Sequence, residues 1–193
     1  MGPAIRLAPL FFYMPISPDI LITEDGSIVA NANTLVDWDY AENYHFLRGN
    51  DAWTDGIPMK KQQALIRASH SFGVIYRDKL LGTQVSYGVQ TLEYPRTGVF
   101  INDVEQAEDS IPEAIKHAVC ELALRELATP NGIMPDLERG GDIKSVKADT
   151  VAIEFMDRAS SFTSIPFVDK LLVNYISGSF SSGITVADIT VTD

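Results

Sequence analysis

The sequence predicts a mainly α protein of the α+β class: a small bundle of three to four helices, one β-hairpin, and extended arms at both ends. Three observations carry this. Apolar residues recur at helical spacing in successive stretches, they alternate with polar residues between about 141 and 157, and both termini are broken by proline or by glycine and serine. With 193 residues, 46% of them hydrophobic and 21% charged, the chain is long enough to bury one core. We divide it into an arm over 1–19, a helical body over 20–176 with the hairpin inside it, and a linker and strand-like tail over 177–193.

In the arm, Leu10 to Ile16 form an apolar patch that Pro9, Pro15 and Pro18 interrupt. The stretch reads neither as a signal peptide nor as a membrane span, and it suits lying on another protein or folding back on its own domain. Residues 20–33 alternate around Asp25-Gly26, which predicts a short hairpin or extended entry. Asp37 is a candidate cap for a helix over Trp38–Arg48, ended by Gly49. The next helix starts at Pro58, with Asp55 as a possible cap, and runs to about Lys79. On it Ala64, Leu65, Ala68, Phe72, Ile75 and Tyr76 form one stripe, while Lys60, Lys61, Gln62, Gln63 and Arg67 fall largely elsewhere.

The segment from Leu80 to Phe100 is rich in glycine, threonine and aromatics and reads as a long loop with at most a short strand. Ser110 and Glu113 have capping-box spacing and open a helix over 112–128 whose apolar residues cover more than half its circumference, making it the central core helix. Pro130-Asn131-Gly132 ends it. Ile143, Val151, Ile153 and Phe155 then alternate as a hairpin. A last short helix is expected over Pro166–Ile176, with Phe167, Leu171, Leu172 and Tyr175 on one side. Beyond Ser177–Gly183, a flexible linker, Ile184 to Val191 read as an unpaired β-prone tail or a loose terminus.

Net charge is −11. A phosphate-gripping protein usually carries a surplus of Lys and Arg, so the balance counts against generic DNA binding. Only residues 58–96 are net basic, with six bases against two acids. The single cysteine, Cys120, excludes an internal disulfide framework and a multi-cysteine zinc site, and it sits in an apolar run without an activating base. GxGxxG, the Walker loop, GxSxG and HExxH are all absent. Glu42 and His45 have the i, i+3 spacing of helical metal sites, but no second such pair accompanies them. The acidic run Asp103, Glu105, Glu108 and Asp109 reads as solvated loop charge. No enzymatic activity, metal or cofactor is expected.

Six stretches occur in order: EDGSIVANANTLV, DYAENYHFLRGNDAW, KKQQALIRASHSFGVIYRDKLLGTQ, QTLEYPRTGV, DSIPEAIKHAVCELAL and ERGGDIKSVKAD. Together they resemble the tailed-bacteriophage head-tail connector or head-completion adaptors, also labelled DnaT-like single-stranded-DNA-binding proteins, over about residues 20–172. The resemblance implies a structural virion protein, made in the host bacterial cytoplasm and residing at the head-tail junction. It implies a ring of about twelve copies between the portal protein and a tail, stopper, tail-terminator or nozzle component, with double-stranded DNA passing through and no membrane involved. The other reading is a single-stranded-DNA-binding protein of DnaT-like type.

A conduit must let DNA slide, so net acidity suits its wall. Single-strand binders interleave bases with stacking aromatics, whereas Phe72 and Tyr76 fall on the core stripe. The basic set Lys60, Lys61, Arg67, Arg77 and Lys79 is therefore expected at an interface with another subunit or the portal. Tyr94, Pro95 and Arg96 suit either an interface or bracing of their own loop. Arg139, Gly140 and Gly141 permit close backbone approach at the hairpin base. Leu10, Phe11, Phe12 and Tyr13 in one arm, and Ile184, Val186, Ile189 and Val191 in the other, complete the candidate interface.

Overall fold

A computed structural model of the chain describes residues 20–133, 145–148, 151–154 and 165–177. The order is α1 (Trp38–Leu47), α2 (Asp51–Thr54), α3 (Pro58–Tyr76), β1 (Thr83–Gln84), β2 (Arg96–Thr97), β3 (Phe100–Ile101), β4 (Val104–Glu105), α4 (Glu113–Ala128), β5 (Ser145–Ala148), β6 (Val151–Glu154) and α5 (Pro166–Leu171). The strands form three antiparallel pairs, β1 with β2, β3 with β4 and β5 with β6. The α+β class read from the sequence is the one observed.

The core lies between α3 and α4, which make the most extensive helix-helix contact, and α1, α2 and α5 close it from the sides. Ala64, Leu65, Ala68, Phe72 and Tyr76 of α3 meet Ile115, Ala118, Val119, Leu122 and Ala123 of α4, all fully buried. Small residues alternating with large ones let the two helices approach closely, and burying each large side chain contributes about 1.5–3 kcal/mol. The phenol of Tyr76 donates at 2.7 Å to Asp169, so α5 is tied to α3 by a buried hydrogen bond as well as by Val168 and Leu172.

Helix ends follow local chemistry where a cap is adjacent and depart from expectation where it is not. Asp37 accepts from the amide of Tyr40 at 2.8 Å and starts α1 as expected. Asp55 does not cap α3: it ends α2, an extra turn the sequence reading missed, and α3 begins at Pro58 without a side-chain cap. Nor does Ser110 form a capping box. The N-cap of α4 is Pro112, which puts Glu113 at the first helical position instead of the third, and the Ser110 hydroxyl donates back to Ala107.

Of the two forms expected over 20–33, a short hairpin or an extended entry, the hairpin is absent. Thr23 and Thr34 form a parallel bridge, and the loop between them wraps around the buried carboxylate of Glu24, which accepts from the amides of Gly26, Ile28 and Val29 at 2.9–3.0 Å. Those bonds hold Ile28 at a φ of 63°, which a β-branched residue adopts only under such constraint. Gly26, at a φ of 111°, lies against the Asp109 carbonyl, and a Cβ there would collide with it.

The long loop over 80–100 contains β1 and β2, and the acidic run begins in a β3–β4 hairpin rather than in irregular chain. Asn102 and Asp103 both take positive φ, the two-residue turn that matches strand twist, between the pairs Ile101–Val104 and Phe100–Glu105. The final helix stops at Leu171, and Phe167 points outward instead of joining the buried side. Turns carry the chain to Ile176, which bridges Leu80 while the Leu81 amide donates to the Tyr175 carbonyl. The hairpin expected around 141–157 is seen as β5 and β6, with Val146 opposite Ile153. Among the described residues no helix is long and apolar enough to cross a membrane.

Candidate functional site

Helix α3 divides the expected basic set. It contains no Asp or Glu, so every charge on it is positive. Lys60 stands in solvent, but Lys61, one residue on, is only 3% exposed. Its ammonium reaches both carboxylate oxygens of Glu42 at 3.1 and 3.2 Å and the Thr54 carbonyl at 3.4 Å. The rings of Trp38 and Trp53 lie 5.7 and 5.9 Å away, within cation–π range. The expectation that Lys61 belongs to an exposed face is therefore corrected, and so is that for Gln62, which is buried. Arg67 is partly covered: its Nε donates at 2.9 Å to the buried carboxylate of Glu126 and its Nη2 to the Glu126 carbonyl.

The same carboxylate of Glu126 accepts from the Asn131 amide at 2.7 Å, and thereby closes the end of α4. What remains in water along α3 is a stripe of Lys60, Gln63, His70, Val74 and Arg77, spaced by three and four residues, with half-buried Arg67 in its midst.

At the Arg77 end of this stripe lies a lobe formed by residues 81–106. Its centre is Arg96, 7% exposed, whose guanidinium donates to the carbonyls of Leu81 (2.8 Å), Gly82 (2.6 Å) and Glu93 (3.3 Å) and to the Glu93 carboxylate (3.3 Å). Arg77 reaches the other oxygen of Glu93 at 2.7 Å from the end of α3. Tyr94 is 1% exposed and Pro95, joined to it by a cis peptide bond, is also buried. Of the two uses the sequence allowed for Tyr94, Pro95 and Arg96, the protomer shows the bracing of their own loop. The surface of the lobe is apolar instead, with Val85, Tyr87, Val89, Phe100 and Val104 all exposed and Tyr87 at 89%. A cleft of about 410 Å³ beside Tyr87 is lined by Arg77, Gln84, Gln90, Glu93 and Arg96, but its two cations share the single buried carboxylate.

His45 and Glu42 do not prepare a metal site. Glu42 accepts from the Trp53 indole N–H at 2.8 Å and from Lys61, and His45 stacks on Trp53 with ring centres 4.2 Å apart. Among the described residues no group of three or more His, Cys, Asp or Glu comes together. Burial, reinforced by the charges of Arg48 and Lys61, lowers the His45 pKa to about 4, while burial pushes the Cys120 thiol up, so it stays protonated. The unfolded chain therefore binds a proton near pH 6.5 that folded His45 refuses. Stability should be complete above pH 6.5 and fall by about 3 kcal/mol as pH drops towards 4. Urea titrations of the native chain and of His45→Gln across that window check this: the variant should lose the slope, and an unchanged slope would assign it to other groups.

A family model described as "Putative DnaT-like ssDNA binding protein" matches residues 20–187, most of the chain. The protein belongs to this family. No curated protein and no solved structure matches it. The match takes in the DnaT-like protein's whole helical body and the described lobe, and it stops short of Leu10, Phe11, Phe12 and Tyr13 at one end and of Ile189 and Val191 at the other. Those arm residues, with Ile184 and Val186 and with Arg139, Gly140 and Gly141, lie outside the described residues.

The sequence reading missed Glu24, Glu93 and Glu126, buried carboxylates that take up positive charge or loop amides, and it weighed Glu42 only as half of a metal-site spacing. The one available signal was a surplus of glutamates among apolar neighbours, for example Glu93 in TLEYP, where solvated charge is out of place.

Proposed function

We propose that this DnaT-like protein is a structural, non-enzymatic subunit that works by docking to other proteins, as a head-tail adaptor of a tailed bacteriophage. In this reading copies of it form a ring between the portal and the tail, at the head-tail junction of the virion, and double-stranded DNA passes through without sequence-specific contacts. The observation that carries it is the disposal of charge and apolar surface. Lys61, Arg67 and Arg96 are spent on Glu42, Glu126 and Glu93 of the same protomer, while five large apolar side chains project from one lobe. A strand-gripping surface has the opposite arrangement, with free cations and rings ready to stack. Exposed apolar groups on a chain of net charge −11 suit contact with protein. The order of the sequence stretches that resemble head-tail connectors supports the same reading. Electron microscopy of particles, with the protein labelled, should place it as a ring at the portal vertex, and its absence from particles would reject the adaptor role.

The family's description favours a second reading, single-stranded-DNA binding. Among the described residues it would draw on exposed bases such as Lys60 and Lys79 and on the exposed ring of Tyr87. If it holds, a labelled oligonucleotide binds at micromolar concentration in physiological salt, weakens steeply as salt rises, and is lost in Lys60→Glu and Tyr87→Ala. The adaptor reading expects no such binding. Lys61 is a poor probe here, because removing it disturbs the Glu42–Trp53 cluster whatever the ligand.

A further inference from the structure

We infer that the outward stripe of α3 is the seat for the β3–β4 hairpin of a second copy of this chain, repeated head to tail around the assembly. This rests on the ring-subunit reading and names the two surfaces that meet.

The chain is strongly anionic, so two copies brought together at random surfaces repel each other. Association needs a place where acid meets base. Helix α3 offers the longest acid-free surface in the sequence, twenty residues from Pro58 to Arg77 without Asp or Glu. Its exposed positions Lys60 and Val74, with Ile57 just before the helix, combine positive charge with uncovered apolar area: Ile57 is 54% and Val74 62% exposed.

The hairpin has the complementary character. Its tight turn at Asn102-Asp103 makes it project, and its register places Phe100 beside Glu105 on one face and Val104 on the other. Phe100 and Val104 are more than half exposed, and neither Asp103 nor Glu105 forms an ion pair among the described residues. A short hairpin with uncovered apolar groups on both faces, a carboxylate in its turn and another on β4, neither of them in an ion pair among the described residues, is shaped to enter a basic, apolar seat. When each copy places its hairpin in the seat of one neighbour and receives the hairpin of another, the contact is heterologous, and repeating it produces a closed ring or a filament; two copies that exchanged hairpins reciprocally would stop at a dimer.

The lone cysteine makes the test clean, since buried Cys120 does not compete for reagents. The full chain carrying Lys60→Cys together with Glu105→Cys is assembled and treated with a short bismaleimide. The expected product on a denaturing gel is a ladder of successive multiples, whereas each single variant stops at dimers. In parallel, Lys60→Glu and Glu105→Lys should each weaken self-association at least tenfold, and the double swap should restore it. Rings that form without a ladder, and that ignore both reversals, would overturn this contact while leaving the ring-subunit reading in place. A wild-type chain that stays monomeric even at the portal vertex would remove that reading and this contact with it. Loss of oligonucleotide binding in Lys60→Glu with assembly unchanged would also overturn the contact, because it would assign the stripe to phosphate.

Discussion

Arg96→Met loosens the 81–106 lobe and lowers the stability of the protein by roughly 3–5 kcal/mol, the cost of breaking a buried, hydrogen-bonded ion pair. The methionine fills most of the same volume, so the loss is electrostatic. It leaves the carbonyls of Leu81 and Gly82 without their donor and strips one of two cations from a carboxylate that is 6% exposed. For a chain of this length that corresponds to a fall in Tm of about 10 °C. The natural control is Arg77→Met on the other side of Glu93. Although its contact is the shorter, 2.7 Å against 3.3 Å, the Arg77 side chain is 66% exposed, and solvent screening limits its worth to less than about 1 kcal/mol. Equal losses from the two variants, read by thermal and urea unfolding, would show that the lobe is not organised around Arg96.

Trp53→Ala should be as severe, at about 3–5 kcal/mol, because it empties the largest fully buried side chain in the protomer. Three partners meet at that indole: Glu42 through its N–H, His45 through stacking, and Lys61 above its face. The alanine variant also admits water to His45, so its pKa should climb from about 4 towards the ordinary histidine value, and the acid sensitivity described above should shrink. Trp53→Phe separates the two contributions. It keeps most of the buried area and loses the hydrogen bond, at a cost of about 1 kcal/mol, since Lys61 still satisfies Glu42. If alanine and phenylalanine cost the same, the packing account of this cluster fails.

Both variants bear on function through one physical point. The positive charge of the 58–96 region is real, but half of its six bases, Lys61, Arg67 and Arg96, are internal structure: they join α3 to α1 and α4 and hold the lobe together. A loss of nucleic-acid binding or of assembly after changing Lys61, Arg67 or Arg96 would report unfolding as readily as a lost contact. Lys60, Glu105 and Tyr87, which are exposed and make no ion pair within the described protomer, are the positions at which partner and fold can be separated.

How much of this was legible beforehand depended on the range of the interaction. Helices α1, α3 and α4 and the β5–β6 pair are where periodicity and Pro, Gly and Asp signals put them, because apolar spacing and adjacent caps act within a few residues. The 20–33 loop was misread because the Asp25-Gly26 turn signal is outweighed by a Glu24 carboxylate collecting three amides. The capping box at Ser110 failed because Pro112 takes the cap position itself.

The neighbours Lys60 and Lys61 mark the boundary most sharply. By itself, the sequence determined that both sit on a helix, that the helix has a buried stripe, and that the chain as a whole is acidic. Only the tertiary structure decided which lysine stays in water, since a rotation of about 100° per residue carries Lys61 towards α1, where Glu42, nineteen positions away in the chain, waits beside Trp53. Local rules set secondary structure; the state of a charge is set by a partner that only folding brings within 3.1 Å.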